Sequence, residues 1–362
     1  LEALFVLRGL EIPRLFASTR CIVIDELHAL LDNERGIHMR SLLTRLEISL
    51  GRRVRRVGLS ATLGNMDLAK AYLRPDAANA VHHLDSISDG KELLVQLRGY
   101  RAGSKEGDES KTPVEFSIAQ HIFEKLRGEQ NLVFAGSRSA VEEYSDRLRR
   151  MCEEDRLPNE FYPHHASLSR DHRSFVETRL KDARLPTTAI CTSTLELGLD
   201  IGEVACVGQI CAPWSVAALR QRLGRSGRRA GHPAVLRMYV SEREVNAKSG
   251  VADALRLSLF RAVAMIDLLI DKWCEPPQPQ ALHLSTLVHQ ILSVIAEKGG
   301  APASAIYDTL CVRGPFRLVD KALFARVLRH IGGPDVELVE QAPDGVLLLG
   351  RGGERLVEHY SF

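Results

Sequence analysis

Residues 21–28 read Cys-Ile-Val-Ile-Asp-Glu-Leu-His, a short apolar run that ends in two carboxylates. A continuous apolar run of this length is typical of a strand that is buried on both faces of a parallel sheet. The segment 34–50 that follows has apolar residues at helical spacing, and 54–59 reads as the next strand. Strand, helix and strand in this order predict an α/β fold with a parallel sheet.

The composition is that of an ordinary globular protein that is long enough for two or three domains. Of the 362 residues, 45% are hydrophobic and 26% are charged. A formal net charge of +2 favours neither the presence nor the absence of a polyanionic partner. Evidence for such a partner therefore has to come from local clusters of charged residues. Two arginine clusters exist, one with Arg52, Arg53, Arg55 and Arg56, the other with Arg220, Arg222, Arg225, Arg228 and Arg229.

The seven cysteines form no C-x-x-C pair and have no histidine at ligand spacing, so neither a zinc site nor a disulfide framework is expected. No apolar run approaches the ~20 residues of a membrane span, and the first residues do not resemble a signal peptide. We therefore predict a cytoplasmic protein without a membrane partner. The start at Leu1, inside an apparent helix, suggests a piece of a longer chain.

The β/α alternation occurs twice, which predicts two α/β domains. The first covers residues 1–95, and a linker over 96–112 contains the polar run RAGSKEGDESKT at 101–112. The second domain covers 113–245, with strands expected at 132–134, 188–191 and 204–210.

The remaining chain changes character after residue 245. One long helix is expected to connect the domains over 246–280, ended by Glu275-Pro276-Pro277. The segment 281–362 shows three helical stretches and then two short apolar strands, which is the pattern of a winged helix-turn-helix. Its last helix, about 319–331, is largely apolar, so we interpret this domain as a structural brace, with base reading as the alternative.

Asp25 and Glu26 follow the first strand directly, at the carboxyl end where parallel sheets bind ligands. Nucleotide hydrolysis needs one acid to hold Mg²⁺ and a second to orient the attacking water. Asp25 suits the first role and Glu26 the second. Taken alone, the pair fits equally well with a strand-to-helix turn that carries two solvated acids.

Ser60-Ala61-Thr62 follows the next strand, one β/α unit later. A hydroxyl cluster at this place could relay between the acidic site and a second domain. Because serine and threonine are common helix caps, the tripeptide by itself is weak evidence for a functional site. Only its position after the strand supports that interpretation.

Residues 221–228, Gln-Arg-Leu-Gly-Arg-Ser-Gly-Arg, repeat arginine at a spacing of three with glycine between. The rigid fork of a guanidinium can reach transition-state charge on a triphosphate, and glycine lets the backbone pass close beside a partner. We interpret Gln221, Arg225 and Arg228 as catalytic; the alternative is a solvated basic helix.

The run TSTLELGLD at 192–200 also follows a strand. Hydroxyls and backbone N–H groups at such a place can hold a phosphodiester backbone without reading bases, which makes Thr192 and Ser193 candidates for nucleic-acid contact. Gly198 and Asp200 would face the nucleotide, although Asp200 alone reads as a turn residue. Further nucleic-acid candidates are Ser137, Arg138 and His165.

In this order, DELH, SAT, TSTLELGLDIG and QRLGRSGR resemble the motifs of a superfamily 2 DExH helicase. The stretches HHASLSRDHR (164–173), QICAPWSVAALRQRLGRSGRRAGHP (209–233) and WCEPP (273–277) are similar to the bacterial Lhr-like helicases. The resemblance covers nearly the whole chain. It implies two RecA-like domains, the first truncated at its N-terminus, followed by a winged helix.

The resemblance also implies ATP and Mg²⁺ as cofactors, with Asp25 at the metal. His28 would couple the acidic motif to Ser60, Thr62 and Gln221, and Arg225 and Arg228 would be arginine fingers. The implied activity is 3′-to-5′ translocation along single-stranded DNA, in repair or genome maintenance.

The sequence departs from the family pattern because nothing in it reads G-x-x-x-x-G-K-S/T. We therefore expect the phosphate-binding loop to precede Leu1 in a longer protein, and this chain alone to be inactive towards ATP. Two other functions remain open, an RNA helicase that acts on RNA or a DNA–RNA hybrid, and a non-catalytic nucleic-acid clamp. The oligomeric state stays open.

Overall fold

The computed structural model describes residues 1–60, 63–84, 92–102, 114–182, 184–196, 201–227, 231–245, 249–276, 282–359 and 362. The chain forms two compact units. The first unit combines Leu1–His83 with Pro276–Phe362, and the second unit is Leu84–Glu275. The winged-helix segment, expected as a separate domain, thus belongs to the same unit as the first α/β segment.

The first segment of the first unit carries four helices and two strands. They are α1 (Glu2–Arg8), α2 (Ile12–Leu15), β1 (Cys21–Ile24), α3 (Glu34–Leu50), β2 (Arg55–Gly58) and α4 (Met66–Leu73). Short 3₁₀ turns lie at Gly9–Glu11, Leu27–Leu30 and Ala78–Ala80. Asn33 starts α3 by accepting a hydrogen bond from Gly36 N, and Gly51 ends it in the left-handed conformation.

Strands β1 and β2 pair in parallel with Val23 opposite Val57, as the sequence predicts. The expectation that β1 is buried on both faces is wrong for this chain. Ile24 is buried, but Val23 is 60% exposed and Cys21 is also exposed. The reason is that the apolar groups of α3, α4 and the 27–30 turn pack on only one face of this two-stranded sheet.

The second unit alternates strands and helices. Its elements are β3 (Leu93–Ala102), α5 (Val114–Leu126), β4 (Gln130–Phe134), α6 (Arg138–Glu154), β5 (Phe161–His164), α7 (Arg170–Lys181), β6 (Thr187–Cys191), β7 (Cys206–Ile210), α8 (Val216–Leu223), β8 (Ala234–Arg243), α9 (Val251–Ala254) and α10 (Leu257–Ile270). A 3₁₀ turn at Ser193–Leu195 follows β6.

The six strands form one parallel sheet in the order β3-β8-β7-β4-β6-β5. The two faces of the sheet bury separate cores: Leu132 and Phe134 of β4 enter one, and Val133 enters the other. This is the α/β architecture that the sequence predicts, with strands buried on both faces.

The predicted linker over 96–112 differs in the part that the structure describes. Residues up to Ala102 belong to β3, which pairs with β8 over Leu93↔Ala234 to Ala102↔Arg243. The alternation of apolar and polar side chains in Leu-Leu-Val-Gln-Leu-Arg is a strand pattern, and β8 supplies the partner that stabilises it. Residues 103–113 lie outside the described residues.

The single connecting helix predicted from residue 246 is wrong. Helices α9 and α10 are separated at Arg256, whose φ of +50° is left-handed. Helix α10 packs Ala262, Met265, Ile266 and Leu269 into the core of the second unit, so tertiary packing fixes its start.

The C-terminal segment carries four helices and three short strands. They are α11 (Leu284–Lys298), β9 (Ala301–Pro302), α12 (Ala303–Tyr307), α13 (Lys321–Ile331), β10 (Val339–Gln341), β11 (Val346–Leu349) and α14 (Arg351–Glu358). A π-helical turn at Asp308–Val312 extends α12, and the strands form an antiparallel sheet in the order β10-β11-β9. These elements match the helical stretches and the hairpin of the predicted winged helix, whereas α14 was not expected.

A buried polar network joins α11 to the first segment of the unit. Arg45 of α3, with its side chain 2% exposed, donates to Glu297, Ser293 and Gln290. Gln290 and Ser293 in turn donate to Glu2. Buried charges persist when they are paired and hydrogen-bonded, so the network fixes how the C-terminal segment docks within this unit.

Among the described helices, none is both long enough and apolar enough to span a bilayer.

Candidate functional site

In the first unit, the candidate residues lie at the edge of the β1–β2 sheet where both strands end. Backbone bonds continue past the strands, since Leu59 N donates to Ile24 O at 2.8 Å and Leu27 N donates to Leu59 O at 2.9 Å. This ladder holds the DELH loop directly against the loop that begins with Ser60. The two motifs, 32 residues apart in sequence, are thus brought together as predicted.

Glu26 sits in a strained backbone conformation, with φ +51° and ψ +44°. A left-handed glutamate is uncommon, costs of order 1 kcal/mol, and is often found at functional sites. The side chain of Glu26 is 36% exposed, and its backbone N–H donates to Asp25 Oδ1 at 2.9 Å. The chain therefore bends sharply after Asp25 and presents both carboxylates at the sheet edge.

His28 connects the two loops. Its Nδ1 lies 2.8 Å from Ser60 Oγ and 3.7 Å from a carboxylate oxygen of Glu26. Burial lowers the pKa of His28, against the opposing effect of Glu26 and Asp25. His28 is therefore a neutral imidazole at neutral pH, suited to pass a hydrogen-bond rearrangement from Glu26 to Ser60. Thr62, its second predicted partner, lies outside the described residues.

A separate group of candidate residues lies in the second unit, on α8 and the strands beside it. Arg222 donates to Glu196 Oε2 from Nε at 3.0 Å and from Nη2 at 2.8 Å. Its Nη1 donates to Gln209 at 2.7 Å, and the guanidinium lies 4.7 Å from the Phe134 ring centre. The sequence reasoning missed this pair, although Glu196 in TSTLELG and Arg222 in QRLGR are its signal.

Of the two predicted arginine fingers, only Arg225 belongs to the described residues. Arg225 is 6% exposed, and its Nη2 donates to the carbonyl of Glu196 at 2.9 Å. In this conformation Arg225 ties the 224–227 loop to the turn after β6. Gln221 is half-buried on α8. Arg228 lies outside the described residues, as do Gly198 and Asp200.

The amino end of α8 is capped by a residue from much later in the chain. Glu275 accepts hydrogen bonds from Val216 N at 2.7 Å and from Ala217 N at 3.1 Å, while Ser215 accepts from Ala218 N. A carboxylate here satisfies free N–H groups and complements the helix dipole. The acid in the WCEPP stretch thus orients the helix that carries Gln221 and Arg222.

The nucleic-acid candidates lie at the carboxyl ends of β4 and β6. Ser137 caps α6 by accepting from Ala140 N at 3.1 Å, and Arg138 begins that helix with an exposed side chain. Thr192 N donates to His164 O, which keeps the β6 turn beside the end of β5. Ser193 opens the 3₁₀ turn. These groups share one edge of the sheet, as the prediction requires.

His165 does not fit its predicted role. Its side chain is 6% exposed, and Nε2 lies 2.7 Å from Glu142 of α6. Its neighbour His164 is also buried and bonds Thr194 at 2.8 Å. The geometry favours a structural role for His165, because a buried imidazole that is bonded to α6 has little exposed surface for contact with a nucleic acid.

Gly227 makes the close approach that the sequence suggested, but to its own unit. Its φ is +67°, and an added Cβ would lie 2.7 Å from Ala234 N at the start of β8. Gly224, by contrast, has ordinary helical φ. The loop therefore needs glycine at 227 for both backbone conformation and space.

We expect Gly227→Ala to lower the free energy of unfolding of the second unit by roughly 3 kcal/mol, from a left-handed penalty plus overlap with β8. Gly231→Ala is the matched control, because Gly231 has φ +80° but no atom of the described residues lies within 4 Å of an added Cβ. Only the left-handed penalty of about 1 kcal/mol should remain there. Urea unfolding followed by tryptophan fluorescence reports this unit, because Trp214 and Trp273 both lie in it. Equal losses of unfolding free energy in the two variants would contradict the predicted overlap between the added Cβ at position 227 and β8.

Two family models match the chain. The DEAD/DEAH box helicase model matches residues 3–70, and the helicase conserved C-terminal domain model matches residues 115–230. The first range contains Asp25, Glu26 and His28, and the second contains the TSTLELG and QRLGR motifs.

Known helicases are similar over much of the chain. The ATP-dependent helicase Lhr-Core of Methanothermobacter thermautotrophicus is 30% identical over 253 residues, which are 67% of this chain and 29% of that protein. The Lhr helicase/probable uracil glycosylase of Mycolicibacterium smegmatis is 26% identical over 98% of this chain. The chain spans 25% of the length of that relative.

Solved structures agree with these matches. The structure of Mycobacterium smegmatis helicase Lhr bound to ssDNA and AMP-PNP has a TM-score of 0.77 and 25% identity, over 98% of this chain and 44% of that chain. The DUF1998 helicase MrfA bound to DNA and AMPPNP has a TM-score of 0.65 at 18% identity, which supports the fold alone.

Proposed function

Because the chain belongs to the Lhr-like helicases of superfamily 2, we propose that it is the larger part of an ATP-dependent DNA helicase motor. The observation that carries the proposal is the group of side chains at the carboxyl ends of the parallel strands β1 and β2. There, Glu26 has a strained backbone, Asp25 is exposed, and His28 is neutral and bonded to Ser60. This is where a parallel sheet binds nucleotide.

The residues divide the chemistry of hydrolysis between them. Asp25 offers an exposed carboxylate that can hold Mg²⁺ through its hydration shell, and Mg²⁺ would neutralise charge on the phosphates. Glu26 would orient and deprotonate the attacking water. His28 would transmit the state of Glu26 to Ser60, Thr62 and Gln221. Arg225 and Arg228 would stabilise transition-state charge, and Gly198 and Asp200 would lie at the nucleotide.

The nucleic-acid partner that we propose is single-stranded DNA. Thr192, Ser193, Ser137 and Arg138 share one sheet edge and offer hydroxyls, N–H groups and a cation, which are the groups that contact phosphates without reading bases. The relative with the highest structural similarity quoted above is bound to ssDNA. We further propose 3′-to-5′ translocation for the whole protein.

The 362 residues contain no G-x-x-x-x-G-K-S/T sequence. We propose that a longer protein supplies the phosphate-binding loop and that this chain alone does not turn over ATP. Steady, Mg²⁺-dependent hydrolysis by the purified 362-residue chain would contradict this part of the proposal.

The test of function is ATP hydrolysis by the longer protein with single-stranded DNA, single-stranded RNA or no nucleic acid. We expect strong stimulation by DNA, because backbone contacts couple the motor to the strand. Stimulation by RNA alone would support an ATP-driven motor but would show that it acts on RNA instead of DNA. Hydrolysis under none of the conditions would leave a nucleic-acid clamp without catalysis.

A further inference from the structure

A cavity of about 430 Å³ lies in the first unit, between the α3–β2 loop and the turn that follows the π-helical segment of the C-terminal region. Its walls carry six arginines: Arg52, Arg53, Arg56, Arg74, Arg313 and Arg317. Only two carboxylates, Glu47 and Asp76, line it, so the walls hold an excess of four positive charges. The whole chain has a net charge of only +2, so the excess is local.

The cavity is separate from the proposed nucleotide edge. Arg52 and Arg53 precede β2, and Arg52 Nη2 donates to Ala17 O and Thr19 O, which precede β1. The cavity therefore lies at the amino ends of the two parallel strands, whereas the DELH loop follows their carboxyl ends. The four residues of β2 separate the two places by about 13 Å at ~3.3 Å per residue.

The floor of the cavity is a preorganised arginine pair. Glu47 is shared, since it accepts from Arg74 Nη1 at 2.9 Å and from Val54 N at 2.9 Å, and pairs with Arg56 Nη2 at 3.0 Å. One carboxylate thus compensates two guanidiniums. The Arg56 side chain is only 4% exposed, and its Nε is buried without a hydrogen-bond partner among the described residues.

Arg56 Nη1 also donates to Leu73 O at 3.3 Å, so the protein itself holds this guanidinium in place at the cavity wall. Burial lowers the pKa of Arg56, Glu47 opposes this, and Arg74 adds to it. Such a shift has the sign that burial of a cation produces.

The rim provides exposed cations on both sides. Arg53 and Arg313 are exposed, and Arg317 pairs at 2.6 Å with Asp76 while both side chains remain partly exposed. An exposed pair of this kind is worth little and can be exchanged for a stronger acceptor. Arginine forks suit phosphate oxygens, and the volume is many times the ~30 Å³ of one water.

We propose that this cavity is a second phosphodiester-binding site, which holds the backbone of a nucleic acid on the first unit. The inference rests on the proposed function, because it takes nucleic acid as the partner. Six arginines, with an excess of four positive charges, can neutralise more than one phosphate, which favours a strand over one small anion.

The test compares two double variants of the 362-residue chain by fluorescence anisotropy with a labelled oligothymidylate of about 20 nucleotides, over a series of salt concentrations. The test variant is Arg53→Ala with Arg313→Ala, which leaves the buried floor intact. The control is Arg14→Ala with Arg355→Ala, two exposed arginines of the same unit that do not line the cavity. Both variants lose the same charge.

We expect the test variant to bind on the order of tenfold more weakly at ~0.1 M salt and to lose about 1.4 from the slope of log affinity against log salt, at ~0.7 per phosphate contact. The control should match the unaltered chain. If the test and control variants bound DNA equally well, the proposed site would be wrong. DNA binding by the unaltered chain would still support nucleic acid as the partner. If the unaltered chain bound no DNA, the proposed partner and the site would fall together.

Inorganic phosphate serves as a competitor in the same titrations. Displacement of DNA by phosphate from the unaltered chain, but not from the test variant, would support the site. A result in which the test variant keeps full DNA affinity but loses phosphate binding, measured by calorimetry, would assign the cavity to a small anion and overturn the phosphodiester proposal.

Discussion

Glu26→Gln is expected to lower DNA-stimulated ATP hydrolysis by about 100- to 10,000-fold in the longer protein that we propose to carry the phosphate-binding loop. Glutamine keeps the shape of the side chain and the left-handed backbone at this position but cannot accept a proton from water. The 3.7 Å approach of Glu26 to His28 means that the same change also removes the charge that faces the His28–Ser60 pair.

Two further measurements separate a catalytic role from a structural one. The Glu26→Gln protein should still bind ATP and should hold single-stranded DNA in its presence, since the Asp25 carboxylate remains. Glu11→Gln is the matched control, because Glu11 is an exposed acid of the same unit that pairs only with exposed Arg14 among the described residues. A Glu26→Gln protein with ordinary turnover would show that another group activates the water.

Arg45→Met is expected to destabilise the first unit by about 3–5 kcal/mol, because it leaves buried carboxylates without their cation. The Arg45 guanidinium lies 2.7 Å from Glu297, 3.6 Å from Glu2 and 4.3 Å from the Phe5 ring centre. Burial raises the pKa of Glu2, but hydrogen bonds from His38, Ser293 and Gln290 and the charge of Arg45 together lower it to about 2. Glu2 therefore stays ionised and depends on its partners.

Hydrogen exchange of amides in α3 and α11 is the measurement, because both tryptophans lie in the second unit and do not report on the first. Adding Glu2→Gln and Glu297→Gln to Arg45→Met should restore part of the loss by removing the stranded charges. Arg149→Met on α6, where the arginine is 45% exposed, is the control and should leave the exchange of α3 and α11 unchanged. Unchanged exchange in Arg45→Met would show that apolar packing alone docks α11.

The α/β class and the placing of the acidic motif after a strand followed from residues 21–28 because both depend on local patterns. Apolar runs mark strands, and carboxylates at their ends mark the ligand edge of a parallel sheet. The order of DELH, SAT, TSTLELG and QRLGR gave the family, which the comparisons confirm. The neighbourhood of His28 and Ser60, implied by the resemblance, is present at 2.8 Å.

The errors and omissions concern features that depend on contacts between distant residues. The 96–102 segment looked like linker because its partner, β8, lies more than 130 residues away in sequence. Glu275 as the cap of α8 and Glu196 as the partner of Arg222 were missed for the same reason. Hydrophobic periodicity carries no information about which polar groups meet.

The sequence by itself therefore determined the fold class and the family of this protein, and it predicted the carboxyl ends of β1 and β2 as a ligand site. Tertiary structure alone decided that α11 docks on α3 through Arg45, that His165 and Arg225 are buried, and that six arginines surround one cavity. The physical reason is that burial, and the meeting of charged side chains from distant segments, arise only when those segments pack against one another, whereas strand and helix patterns are set by neighbours.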